Sequence, residues 1–167
     1  MGDTVTYVTD TDAIDFAIAA WREDGAWRAE SLPPRLAESL ASLVAALGAH
    51  ASESGVVGLV SIGDDTFLIV RVDGGRARLL LSDQTAALDW DLADEVLDAL
   101  GVEAPEDVDD DADPVGDLGL LADLGMSTDE LTLLCEDLDL YPDEVLGSVA
   151  KRIGFGELFA NLVFDRG

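Results

Sequence analysis

The sequence predicts an α+β fold: a five-stranded, mainly antiparallel sheet with a crossover helix, followed by an acidic linker and a small C-terminal helical unit. Three observations carry that prediction. Short apolar runs rich in Val, Ile and Leu are confined to residues before Ser82 and are parted by turn-forming residues. Beyond Ser82 the apolar residues recur at helical spacing and β-branched residues thin out. Within the second regime, after its first helical pattern, lies Glu106-Asp107-Val108-Asp109-Asp110-Asp111, with almost nothing to build a core from.

Residues 1–13 are polar and lack an apolar pattern, so a frayed start is expected. An α/β body then spans 14–101. Ile14 to Ala20 reads as a largely buried strand, Glu23-Asp24-Gly25 as a tight turn, and Trp27 to Leu32 as the returning strand of a hairpin. Pro33-Pro34 ends the sheet and presets φ for a helix carrying Leu36, Leu40, Leu43, Val44 and Leu47, with Gly48 as its stop. His50 falls in the small, polar loop that follows and is expected to be solvated. Three strands come next, Val56 to Ile62, Thr66 to Val72 and Arg76 to Leu81. Gly63-Asp64-Asp65 and Asp73-Gly74-Gly75 separate them, and both favour hairpins. Leu92, Val96 and Leu100 mark a helix with Asp91 as N-cap and Gly101 as its end.

Residues 102–115 form the expected linker, because densely packed like charges repel and extend a chain. The helical unit, 116–167, begins with a leucine pattern at Leu118, Leu121 and Leu124 that ends at Gly125. Ser127-Thr128-Asp129-Glu130 is a capping box before Leu131, Leu134, Cys135 and Leu138. Pro142 opens another helix with acids in its first turn and Lys151-Arg152 in its last, as the helix dipole favours. Phe155 to Phe164 closes the chain as an apolar helix.

The formal charge of −27 is regional. Residues 79–150 hold 22 acids and no Lys or Arg, whereas residues 1–78 hold 12 acids and 6 bases. A field of that sign repels phosphates and anionic lipids and speeds encounter with basic proteins, which argues against direct nucleic-acid or membrane binding. No apolar run approaches the roughly 20 residues that span a bilayer. With a single cysteine and no basic segment leading into an apolar one, the chain reads as cytoplasmic.

Catalytic signatures fail one by one. One His and one Cys cannot make a zinc set, and Cys135, on an apolar stripe beside Glu136 and Asp137, is a packing residue. Asp107-x-Asp109-x-Asp111 imitates an EF-hand loop, but Ala112 replaces the turn glycine and Leu118 the closing acid. Leu124-Gly125-Met126-Ser127 is similar to an acyl carrier's attachment site without the Asp before the serine, and capping explains Ser127. The reading is a non-enzymatic binder with no cofactor and no metal.

Several longer strings carry a resemblance. They are Arg71-Val72-Asp73-Gly74-Gly75 with Leu81-Ser82-Asp83; Gly116-Asp117-Leu118 with Leu121-Ala122-Asp123-Leu124-Gly125; Leu134 to Glu144; and Ile153-Gly154-Phe155-Gly156-Glu157. Together they resemble the tRNA adenosine deaminase-associated proteins of actinobacteria, from about Phe16 to Phe164. Eight Arg against one Lys also suit a high-GC genome. The resemblance implies an association, by name and genomic neighbourhood, with the enzyme that converts wobble adenosine to inosine. It implies no catalytic residue, and the chain lacks the zinc-deaminase signature itself. The expected partner is therefore a basic protein, the deaminase being the candidate. Its contact residues are expected among Asp137, Asp139, Asp143 and Glu144, with Tyr141 as an aromatic anchor. The competing reading is a nucleic-acid-mimicking inhibitor or immunity-type protein, with an acyl-carrier role third.

Overall fold

The structure, a computed structural model, describes residues 14–50, 55–63, 66–73, 76–88, 90–103, 114–137 and 139–163. It is an α+β protein whose antiparallel sheet has six strands in the order β2-β1-β3-β4-β5-β6. The strands are β1 (Ile14–Glu23), β2 (Ala26–Ser31), β3 (Val56–Ile62), β4 (Thr66–Asp73), β5 (Arg76–Leu81) and β6 (Val115–Gly116). Five helices accompany them: α1 (Leu40–Gly48), α2 (Asp91–Leu100), α3 (Thr128–Glu136), α4 (Pro142–Ile153) and α5 (Gly156–Val163).

Strand alternation divides the apolar residues into two cores, because successive side chains point to opposite faces. On one face, Ala17, Ala19, Val56, Val60, Leu68, Val70, Leu79 and Leu81 meet α1 and α2 through Leu43, Leu47, Leu92 and Val96. On the other, Phe16, Ile18, Ala20, Val57, Leu59, Phe67, Ile69 and Leu80 meet the C-terminal helices. The α4 stripe Val145, Leu146, Val149, Ala150 and Ile153 is buried there, at the spacing of one helix face. Every residue of β3 is therefore buried, which explains why its sequence is a nearly continuous apolar run, interrupted by Ser61, and not an alternating one.

The first hairpin turns at Asp24 and Gly25, both at positive φ, the backbone that a two-residue connection matching strand twist requires. One irregularity interrupts the register between β1 and β3: Ile14 pairs with Ile62, and Phe16 with the adjacent Ser61. Asp15 is the extra residue of that bulge.

Five sequence expectations need correction. The sheet has a sixth strand, β6, pairing with β5 through Leu80 with Gly116 and Leu81 with Val115. Two residues are too few to show a period, and Gly116 at φ +121° allows an approach no other residue could make. The helix expected from Leu36 is split into a 3-10 turn, Pro34–Ala37, and α1. Ser39 takes the N-cap, its Oγ accepting from the Ser42 amide at 3.2 Å, and Glu95 of α2 accepts from the Leu40 amide at 2.7 Å. At α2 the N-cap is Trp90 and Asp91 is already helical. His50 is not simply solvated: its ring stacks on Trp21 at 3.9 Å between centroids, and Nε2 lies 2.9 Å from Glu30 Oε1.

The leucine pattern at 118–124 yields turns and a 3-10 segment, Ala122–Leu124. The cause is a buried cation. Arg71 of β4, 1% exposed, projects onto the second face. Its Nη1 donates to the Leu120 carbonyl at 2.9 Å, and its fork grips the Asp123 carboxylate, Nη2 to Oδ2 at 2.9 Å. Arg78, its cross-strand partner on β5, donates to the same carbonyl at 3.1 Å and faces Asp117 at 3.4 Å. A carbonyl held by two guanidinium groups is engaged away from the helical i+4 bond. Asp117 further accepts from the Gly119 amide at 2.9 Å, closing a local turn.

Both flanks of the acidic stretch are tied to the first core, through Val102 and Val115. Its expected character as a linker concerns mainly residues 104–113, which lie outside the described residues, as do 1–13 and the turn residues 64–65 and 74–75.

Two stability predictions follow, one from the β5–β6 pairing and one from the clamp that Arg71 and Arg78 form on Leu120, Asp123 and Asp117. A Cβ on Gly116 would sit 2.1 Å from the Leu79 carbonyl oxygen, so Gly116→Ala is expected to destabilise by about 3 kcal/mol in urea unfolding. Asp123→Asn leaves Arg71 buried without its charge partner; because Asp123 itself reaches water, the expected loss is about 2 kcal/mol, below the full figure for a buried pair. The hydrogen bond from Arg71 lowers the Asp123 pKa below its ordinary 3.8. Its stabilisation is therefore present above that pH and fades as pH falls through the lowered value, so the wild-type advantage over Asp123→Asn should shrink below about pH 4.

Candidate functional site

The expected contact residues fall on one corner of the second layer, where α3 hands over to α4. Leu131, Leu134 and Cys135 turn α3 toward the core, and burial with Glu136 alongside pushes the Cys135 thiol up to about 11, as befits a packed and unreactive group. At the start of α3 the capping box forms as written: Ser127 Oγ accepts from the Glu130 amide at 3.2 Å, and Glu130 accepts from the Ser127 amide at 3.0 Å. Ser127 therefore has a structural task. Arg152, at the end of α4, donates to Glu130 at 2.6 Å and ties the two helices together.

The connection is built by short acid-to-backbone bonds. Asp137 ends α3 and accepts from the Asp139 amide at 3.0 Å. Tyr141 precedes Pro142, and its amide donates to Glu144 at 2.9 Å, so the Glu144 carboxylate closes the α4 N-terminus from within. Asp137, Asp139 and Glu144 are exposed, and Asp143 is half-buried. Tyr141 is 67% exposed. It stands out from the helix start and does not pack beneath it. Among the described residues none of Asp137, Asp139, Asp143 and Glu144 forms an ion pair.

Sequence reasoning missed two neighbours. Leu133 on α3 is 68% exposed, an apolar side chain on the solvent face. Asp15 lines a cavity of about 410 Å³, together with Phe16, Ser61 and Val163 and with Tyr141, Pro142 and Asp143 from the start of α4. The signal for Asp15 was present, as an acid inside an otherwise apolar strand. A larger groove of about 1030 Å³ runs between Trp27 and the α4–α5 junction. There Trp27 Nε1 donates to the Ile153 carbonyl at 3.2 Å beside Gly154, which is at φ +123°.

The four strings singled out in the sequence thus become three local structures: the arginine clamp, the α3–α4 corner and the Trp27 junction. A family model described as Rv3753c-like tRNA adenosine deaminase-associated protein matches residues 15–156. The chain belongs to that family. Protein Rv3753c of Mycobacterium tuberculosis is 44% identical over 154 residues, covering 90% of this chain and 88% of the relative. No solved structure matches. The family's matched span takes in the clamp and the corner entire and stops at the first residue of α5. Among the described residues no cluster of three or more His, Cys, Asp or Glu could hold a metal, and no helix is long and apolar enough to cross a membrane.

The Glu130–Arg152 clasp can be tested by pH. The bond from Arg152, assisted by the Ser127 amide, lowers the Glu130 pKa from 4.5 to about 2. A lowered carboxylate pKa stabilises above the unfolded value and loses that contribution on acidification. Replacing Glu130 with Gln should therefore narrow the difference in unfolding midpoint from wild type as pH falls from 4.5 toward about 2.

Proposed function

We propose that this protein is a non-catalytic accessory of a tRNA adenosine deaminase, docking on a basic face of that enzyme through the α3–α4 corner. The observation that carries the reading is the corner itself, where exposed Tyr141 and Leu133 stand among acids that have no cation of their own among the described residues. An aromatic anchor with a charged rim is the usual composition of a contact that binds by burial and selects by charge. The family description supports the deaminase as the partner, and the charge of −27 favours a basic protein surface over a phosphate backbone.

Calorimetric titration of the cognate deaminase into this protein at low and high salt tests the reading. Binding is expected at low salt and should weaken with added salt, as rim charges demand. Neutralising Asp137, Asp139, Asp143 and Glu144 together to the amides should weaken it about tenfold or more, since each exposed charge pair contributes about 0.2–1 kcal/mol. Absence of binding at low salt would overturn the proposal.

A further inference from the structure

The cavity beside Tyr141 has a composition that the docking corner alone does not require. Its volume, about 410 Å³, lies near the lower end for ligand pockets and suits one long side chain better than a nucleotide. The floor is apolar, from Phe16, Pro142 and Val163, and two carboxylates, Asp15 and Asp143, reach it from opposite elements. They come from parts of the chain more than a hundred residues apart, one on a strand and one on a helix.

The Asp15 placement is built. The β1 bulge makes Asp15 the extra residue between the Ile14–Ile62 and Phe16–Ser61 pairs, and a bulge re-aims the side chain it carries. Ser61, 3% exposed, donates its hydroxyl to Asp15 Oδ2 at 3.1 Å and fixes the carboxylate's orientation. Phe16, returned to the second face, is locked edge-on against Phe159 at 5.8 Å between centroids. On the opposite wall, Asp143 forms no ion pair among the described residues, and the exposed Tyr141 ring borders the mouth.

We propose that this cavity is a socket for a guanidinium group, taking an arginine side chain of the basic partner. The inference rests on the docking reading for the source of that arginine, although its chemistry can be tested alone. Two carboxylates exclude an anion. An apolar floor beside an aromatic ring selects guanidinium over ammonium, because guanidinium is planar, weakly hydrated, able to stack on the ring and able to offer its N–H groups in pairs. The positive end of α4 opposes any cation at this position. The two carboxylates and the protein's overall field act in the other direction and outweigh a partial charge.

The test uses the whole protein, labelled with nitrogen-15 and titrated with N-acetylarginine amide and, separately, N-acetyllysine amide. Saturable shifts at the Phe16, Ser61, Tyr141 and Asp143 amides are expected, with the arginine compound binding about fivefold or more tightly than the lysine one. Asp143→Asn and Tyr141→Ala should each weaken the arginine compound about fivefold while leaving the rest of the spectrum in place. No saturable shift, equal response to the two amides, or indifference to both substitutions would each overturn the socket. Titrating the two variants with the deaminase separates this inference from the docking reading. Deaminase binding that persists, with its salt dependence, unchanged in both variants overturns the socket and leaves docking standing. Failure of the unaltered protein to bind deaminase removes docking and leaves the arginine titration to decide the socket.

Discussion

A guanidinium buried in an apolar layer is the constraint around which the second half of the protein is arranged. Arg71 lies on a central strand and cannot surrender its charge, so it must find acceptors within reach of the sheet. Leu120 and Asp123 provide them. That requirement pins the segment just before α3, forbids it a regular helix, and holds it against the sheet where Leu120 and Leu121 can be buried. Arg78 repeats the arrangement one strand outward through Asp117. Downstream of the pinned segment, Gly125 at φ +116° turns the chain and Ser127 starts α3. The position of the α3–α4 corner thus descends from a charge on β4.

Much of the fold was legible. The strand and helix periods identified β1 to β5, α1 and α2, and capping chemistry located α3 and α4 to within a residue or so, because each of those signals is local. What was not legible is non-local. Arg71 reads in sequence as one more charge at a strand's end, and only the Leu120 and Asp123 contacts, some fifty positions along, reveal it as a buried anchor. For the same reason the leucines at 118–124 read as helical: their spacing is right, and the competitor for the Leu120 carbonyl is on another strand. β6 escaped because two residues carry no period. The proposed contact residues, from Asp137 to Glu144, sit close together in the sequence and can be read there as one group, whereas Asp15 cannot, since a bulge depends on the pairing register between β1 and β3 and leaves only an isolated acid in the sequence.

The acidity also looks different once each carboxylate has been placed. Several acids of the lysine- and arginine-free stretch are occupied in holding the fold. Asp117 and Asp123 answer the two arginines, Glu130 caps α3 and holds Arg152, Glu95 caps α1, Asp137 turns the chain, and Glu144 closes α4. A carboxylate that accepts a backbone N–H at a helix start is where an anion is most stable in any protein, so these groups by themselves do not indicate a partner. Net charge alone therefore overstates the surface available for binding. Two of the carboxylates left without such a task, Asp139 and Asp143, flank Tyr141 in sequence, and among the described residues Tyr141 is one of the few large apolar-bodied side chains left in water. Exposing an aromatic ring forgoes the stabilisation of burying it. Doing so beside acids without a structural task is what singles out this corner, and it is why the docking site is read from a few residues while the sum of −27 bears only on the class of partner.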